Sequence, residues 1–239
     1  MNKPNFNLVY TIWSSITKET KFGFNWLWLR GIINQGPFIA LAIIGGGNFL
    51  NNYNILLFNI GMWCLFEYSL RESLRINKLS KKNPKLNELK LTTRLYNYLL
   101  IGLPEATFFF VGLLILQIST WHLKTILETL LIAIFSLILV SPLISASCFL
   151  ISKIAENFWD IKFLLPFIMR VLQFTAPVLL IARFDSFHQD LNPFSFPFTF
   201  FSVNAYHEGP IKGLYSYIFT LASCLLIFII YRGKLKDAK

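Results

Sequence analysis

Apolar residues run through this chain in long blocks, broken by short polar segments. Six blocks read as membrane-crossing helices, each of which needs about 17–25 residues. They lie near residues 31–49, 53–70, 96–118, 126–151, 163–182 and 211–231. No charged residue occurs between Arg30 and Glu67, and Gly45-Gly46-Gly47-Asn48 with Asn51, Asn52 and Asn54 marks a tight turn inside that stretch. The block at 163–182 holds Pro166, Arg170 and Pro177 and is the least regular. Ahead of the blocks, Val9, Ile12, Trp13 and Ile16 recur at helical spacing opposite Asn, Ser, Thr and Lys. This predicts an amphipathic helix over 5–20 lying in the membrane interface. Phe22, Phe24, Trp26 and Trp28 follow at the membrane entry, where aromatic rings concentrate. Between the fifth and sixth blocks runs Asn192-Pro193-Phe194-Ser195-Phe196-Pro197-Phe198-Thr199-Phe200-Phe201. It is too aromatic for a solvated loop, and its prolines argue against a strand. It reads either as a re-entrant element dipping back into the bilayer or as an aromatic belt at the outer leaflet.

The basic residues sharpen this picture. Four (Lys3, Lys18, Lys21, Arg30) precede the first block, eight lie between the second and third, two between the fourth and fifth, and four follow the sixth. The alternate connections hold only Lys124, Arg183 and Lys212. Eighteen against three is an orientation signal, because basic loops stay on the cytoplasmic side. The expected fold is therefore an all-α polytopic membrane protein with six transmembrane helices and both termini cytoplasmic. Residues 1–30 would form a cytoplasmic amphipathic interface segment and 31–239 the six-span domain, with a cytoplasmic loop at 71–95 and an external loop at 183–210.

Composition agrees. Of 239 residues, 55% are hydrophobic and 14% charged, against about a quarter charged in soluble domains. The net charge of +10 flanks the apolar blocks, so anionic lipid headgroups and topology account for it and no nucleic-acid partner is expected. Cys64, Cys148 and Cys224 each fall inside an apolar run and read as small hydrophobes. No cleavable signal peptide is expected, since the first apolar run starts only near Ile32.

Catalytic patterns are missing. There is no G-x-x-x-x-G-K-[ST], so the chain is not expected to cradle ATP phosphates. His122, His188 and His207 have no metal-ligand spacing, and no cofactor is expected on this chain. The ionisable residues inside apolar blocks carry more weight, because burying them in lipid is costly. Glu105 follows Pro104 in the third block and Arg170 sits in the middle of the fifth, and a pair between the two is one hypothesis. Glu67 and Arg71 are spaced for an i,i+4 pair. In the basic loop, Leu86 and Leu89 form an apolar stripe among charges after Pro84, beside Lys90. Read from the residues alone, it is either a solvated connector or a short helix that docks on a partner.

Together these features resemble the permease subunits of ABC-2 type exporters, and within them the capsular-polysaccharide and O-antigen export permeases. The resemblance rests on Lys21-Phe22-Gly23 with Leu27-Trp28 at the first span. It rests further on Lys153-Ile154-Ala155-Glu156-Asn157-Phe158-Trp159-Asp160 before the fifth, Phe174-Thr175-Ala176-Pro177-Val178 within it and Leu191-Asn192-Pro193 after it. The resemblance implies an ABC-2 exporter fold in a bacterial inner membrane, with two copies forming a homodimeric passage for a glycan or lipid-linked glycan. It implies a separate ATPase subunit carrying ATP and Mg. Pro84, Leu86, Leu89 and Lys90 would then belong to the coupling helix, and Asn192, Pro193, Phe194 and Phe196 to an external gate. Trp26, Trp28, Phe108, Phe109 and Phe110 are the candidates for the glycan path, since pyranose rings stack on aromatic faces. Rival readings are an ABC-2 permease for a lipid, drug or haem-related cargo and a non-catalytic assembly subunit. A third is a membrane enzyme acting on lipid-linked sugars through Asp185, His188, Asp190, His207 and Glu208.

Overall fold

The computed structural model describes residues 6–18, 20–44, 53–82, 91–120, 123–158, 160–176, 187–207 and 210–237. Among them all regular structure is helical. In chain order the helices are α1 (Phe6–Lys18), α2 (Asn25–Ile44), α3 (Tyr53–Lys82), α4 (Leu91–Thr120), α5 (Leu123–Asn157), α6 (Ile161–Thr175), α7 (Phe187–Leu191), α8 (Ser195–Tyr206) and α9 (Leu214–Asp237).

α3 is the central post. From Ile55 to Leu74 its residues are buried almost without a break, because α4, α5, α6, α8 and α1 all pack on it. Its closest neighbour is α4, and two glycines explain how near the axes come. A Cβ on Gly102 would lie 2.5 Å from the Leu65 carbonyl oxygen, and one on Gly61 would lie 2.7 Å from the Phe110 ring. Small residues at crossings are how helices associate where lipid offers equally apolar contacts. A third close approach joins α2 to α4: a Cβ on Gly31 would sit 2.8 Å from the Glu105 carbonyl oxygen.

Two helical segments, Asn97–Ile118 and Ile126–Asn157, are long and apolar enough to cross a membrane, and Leu214–Ile227 is a shorter apolar segment. Only 33% of the apolar window in each of the two is buried. Side chains such as Ile115, Ile118, Leu131 and Ile138 face outward. The interior meanwhile holds Gln35, Asn59, Glu67, Ser69, Glu72, Asn97, Glu105 and Gln117.

Helices occur at each of the six apolar blocks, with shifted limits. α2 starts at Asn25, ahead of the expected 31, because Gly23 at φ +55 turns the chain out of α1 and Trp26–Leu29 extend the apolar run. The Gly45–Asn52 turn lies outside the described residues. α3 continues to Lys82 and α4 starts at Leu91, so most of the expected loop at 71–95 is helix. α6 stops at Thr175, short of the expected 182, because Ala176 is extended (φ −83, ψ 147) immediately before Pro177; a proline disfavours helical backbone in the residue before it. Its 15 residues rise about 22 Å, less than the ~30 Å of a bilayer core.

α1 also departs from the expectation. Val9, Ile12 and Ile16 are buried against neighbours that include α4, α2 and α3, and the Trp13 indole donates to the Ile101 carbonyl at 3.2 Å. Its apolar stripe is thus a protein contact. On its outer side it leaves Tyr10, stacked on Phe24.

The aromatic run before α9 forms α8. Pro197 sits in its first turn, where a missing N–H costs nothing. Phe198 and Phe201 face inward with Phe194 just ahead of them. Phe201 stacks on Phe58 with centroids 3.7 Å apart, and Phe194 meets Phe66 at 4.0 Å.

Candidate functional site

The chemistry of this molecule gathers where α2, α3, α4 and α6 meet. On α2, Arg30 lies one residue before the close approach at Gly31, which brings its guanidinium onto α4 and α3. It pairs with Glu105 and, at 3.0 Å, with Glu72. Glu72 also holds Arg75 at 3.0 Å. The Arg30 guanidinium lies 4.3 Å from the Tyr68 ring centroid, a cation–π contact. The Tyr68 hydroxyl donates to the Arg30 carbonyl at 3.0 Å and accepts from Asn34 one turn on.

A second arm runs toward α6. Gln35 donates to Glu67 at 3.1 Å, and the Gln173 amide donates to Gln35 Oε1 at 2.8 Å. Arg170 donates to Gln173 Oε1 at 2.7 Å. Glu67 forms the ion pair with Arg71 that its spacing predicts. Glu67, Gln35 and Gln173 are essentially inaccessible, whereas Arg30, Asn34 and Arg170 are half-buried. Behind them, Arg30 Nε, Ser69 Oγ, Glu105 Oε2 and both amide atoms of Asn97 are buried without a hydrogen-bond partner among the described residues.

The ion-pair partner that Glu105 shows is Arg30, where the sequence had offered Arg170. The reason is packing. Gly31 lets α2 close on α4 at Glu105, while Arg170 turns to the amide of Gln173. The two arms meet at Tyr68, whose ring centroid also lies 6.0 Å from the Arg71 guanidinium. The role of Arg30 was missed because its position at the start of an apolar run made it a topology marker.

The other sequence candidates are dispersed. Pro84, Leu86, Leu89 and Lys90 lie outside the described residues. Phe109 is sealed in the core, Phe110 packs against Phe58, and Phe108 and Trp28 are exposed. Trp26 is half-buried and stacks with Phe22. These five rings do not line one surface. Asn192 has a definite task. Its side-chain amide donates to the Leu172 carbonyl at 3.1 Å and to Thr175 Oγ1 at 2.8 Å, and its Oδ1 accepts the Phe194 N–H at 2.9 Å. It ties the end of α6 to the start of α8, with Pro193 in the intervening turn. Phe196 meets Tyr217 of α9 at 5.0 Å.

Of the residues considered for lipid-linked sugar chemistry, Asp190 is engaged by Lys212 Nζ at 3.5 Å and the Gly213 N–H at 3.4 Å. His207 is the left-handed cap of α8 at φ 56. Asp185 and Glu208 lie outside the described residues. Among the described residues, no group of three or more His, Cys, Asp or Glu side chains is arranged to hold a metal. What the cluster offers is fixed charge and hydrogen bonding. No protein-family model matches this chain, and no curated protein matches it significantly.

Proposed function

We propose that this chain is the membrane permease subunit of an ABC exporter that moves a surface polysaccharide of capsule or O-antigen type across a bacterial inner membrane. It would be driven by a separate ATPase subunit and work as a homodimer. The observation that carries the reading is the element order. An amphipathic helix braced on the bundle precedes α2 and α3, a Lys/Arg-rich connection leads to α4 and α5, and two short helices return between α6 and α9. Six helices at the six apolar blocks, with basic residues on alternate connections, support a six-span topology with both termini cytoplasmic. The outward apolar faces of α4, α5 and α9 suit contact with hydrocarbon. The Phe-rich α8, packed against α3 and α5, suits a re-entrant element, since buried backbone is tolerated at membrane depth.

In this reading the stretch around Pro84, Leu86, Leu89 and Lys90 docks on the ATPase, whose ATP-driven motion shifts the bundle between inward- and outward-open populations. The test is co-purification of the tagged chain with an ABC ATPase subunit from the same cell. Leu86→Asp and Leu89→Asp should abolish it while leaving membrane insertion intact. Undisturbed co-purification and export in both variants overturns the coupling role.

A further inference from the structure

We infer that a slot between α5 and α9 holds one acyl chain of a membrane phospholipid, which completes the packing of α9 on the bundle. The inference rests on the membrane part of the permease reading and goes beyond it by assigning a lipid site. A cavity of about 390 Å³ opens between the two helices. It is lined by one face of α5 from Pro142 to Leu150 and by Leu221, Cys224 and Leu225 of α9. Its floor is buried at Ser145 and Phe149, and its rims at Pro142 and Leu225 are exposed. At one end the helices are pinned, where the Tyr217 hydroxyl donates to the Leu139 carbonyl at 2.8 Å. Past that pin the facing side chains include Ser145, Ala146 and Cys224, too small to close the gap. Pro142 lacks the N–H that the Ile138 carbonyl would accept, and the Ser141 hydroxyl donates there at 2.9 Å instead. From Pro142 to Leu150 the slot runs about 12 Å along α5.

The walls decide what fills it. Among the described lining residues, the side-chain heteroatoms are one hydroxyl and one thiol, at Ser145 and Cys224. That is too little polarity for a sugar, and apolar cavities stay dry and take up apolar ligands. Left empty, the walls would forfeit their dispersion contacts. Exposed apolar side chains stand one turn away, at Ile138 on α5 and Ile229 on α9, so hydrocarbon has access from the lipid side. The slot shares no helix with the polar cluster of α2, α3, α4 and α6. That separation favours an ordinary phospholipid over the carrier of a glycan held at the cluster. α9 packs on α5 and on the short helices α7 and α8, and the chain in the slot adds the contact that its small side chains leave out.

The experiment places the full chain in phosphatidylcholine nanodiscs doped with a phosphatidylcholine that carries a diazirine on its acyl chain. Photo-adducts are mapped by peptide mass spectrometry. They should concentrate on Pro142–Leu150 and Leu221–Leu225 by about tenfold per residue over the outward residues Leu131 and Ile134. Ala146→Phe and Cys224→Leu fill the slot from opposite walls. Each should cut those adducts by about tenfold, at a melting temperature equal to or above the parent's and with Leu131 and Ile134 labelled as before. Ile134→Phe, on the outward face, should leave slot labelling at the parental level. If the phenyl overpacks and Ala146→Phe does not fold, Cys224→Leu decides alone. Labelled outer faces beside an unlabelled slot, or slot adducts that persist in the filled variants, overturn the site and leave the membrane reading standing. Adducts on neither face sink both. Two results would name another occupant and overturn the phospholipid. Slot adducts lost to added undecaprenyl phosphate, but not to the same amount of added phosphatidylcholine, would assign the slot to a polyprenyl carrier. Slot adducts found on monomers and missing from dimers would assign it to a second copy of the chain.

Discussion

Replacing Arg30 by methionine removes one cation from two buried anions. Glu105 and Glu72 are 0% and 3% exposed, and Arg30 itself is 14% exposed. Arg75 still holds the other oxygen of Glu72, so Glu105 bears most of the loss. Stripping one partner from a buried pair costs about 3–5 kcal/mol, because the remaining charge is left uncompensated in low dielectric. For a chain of this size about 2–4 °C accompanies each kcal/mol, so Arg30→Met should melt at least about 6 °C lower. Cys64 and Cys148 are fully buried, which makes thiol exposure to a fluorogenic maleimide the natural readout. Adding Glu105→Gln removes the stranded charge and should recover more than half of the deficit. Glu105→Gln alone should be milder than Arg30→Met, since Arg30 keeps Glu72. Melting of Arg30→Met within about 2 °C of the parent, at odds with the buried-pair magnitude, would refute the pairing. So would a double variant less stable than Arg30→Met.

Two further outcomes test the packing. Gly102→Ala places a methyl 2.5 Å from both the Leu65 carbonyl and Ser69 Oγ, so α3 and α4 must part at a cost of about 1–3 kcal/mol. An unaltered thiol-exposure temperature would disprove that contact. Asn192→Ala loses three hydrogen bonds at a site 4% exposed and should cost about 1–3 kcal/mol. Asn192→Asp should be worse, because an ionised carboxylate cannot donate to the Leu172 carbonyl; parental stability in that variant would sink the brace.

The helices were legible because long apolar runs and local spacings are properties of neighbouring residues. The Glu67–Arg71 pair is of this kind. The Arg30–Glu105 pair is not, for it joins residues 75 positions apart and depends on Gly31 meeting the α4 backbone. Gly36 stands in a similar apolar run, yet a Cβ there would meet nothing within 4 Å. Sequence context does not say which glycine is the crossing. The aromatic run was ambiguous for a different reason. Phe194, Phe196, Phe198 and Phe200 alternate as a strand would, while Phe194, Phe198 and Phe201 recur at helical spacing. Pro197, placed where a first turn accepts it, settled the contest for the helix. The end of α6 was written in Pro177, but the apolar residues beyond it made a longer span look natural.

The placement of polarity bears on why this cluster exists at all. In water, Glu67, Glu72 and Glu105 would gain nothing by lying inside, since solvent satisfies carboxylates more cheaply than a core does. In the membrane setting proposed above the balance reverses, because the interior is then the place where a charged group can find partners. Apolar contact alone discriminates poorly between helix neighbours when hydrocarbon is the competing neighbour. Ion pairs and amide bonds discriminate well, because a slip of one turn leaves charges stranded. Arg30 reaches from α2 to α3 and α4, and Gln35 reaches from α2 to α3 and α6. The two residues therefore fix the depth of α2 against three other helices, a constraint that its apolar side chains could not impose.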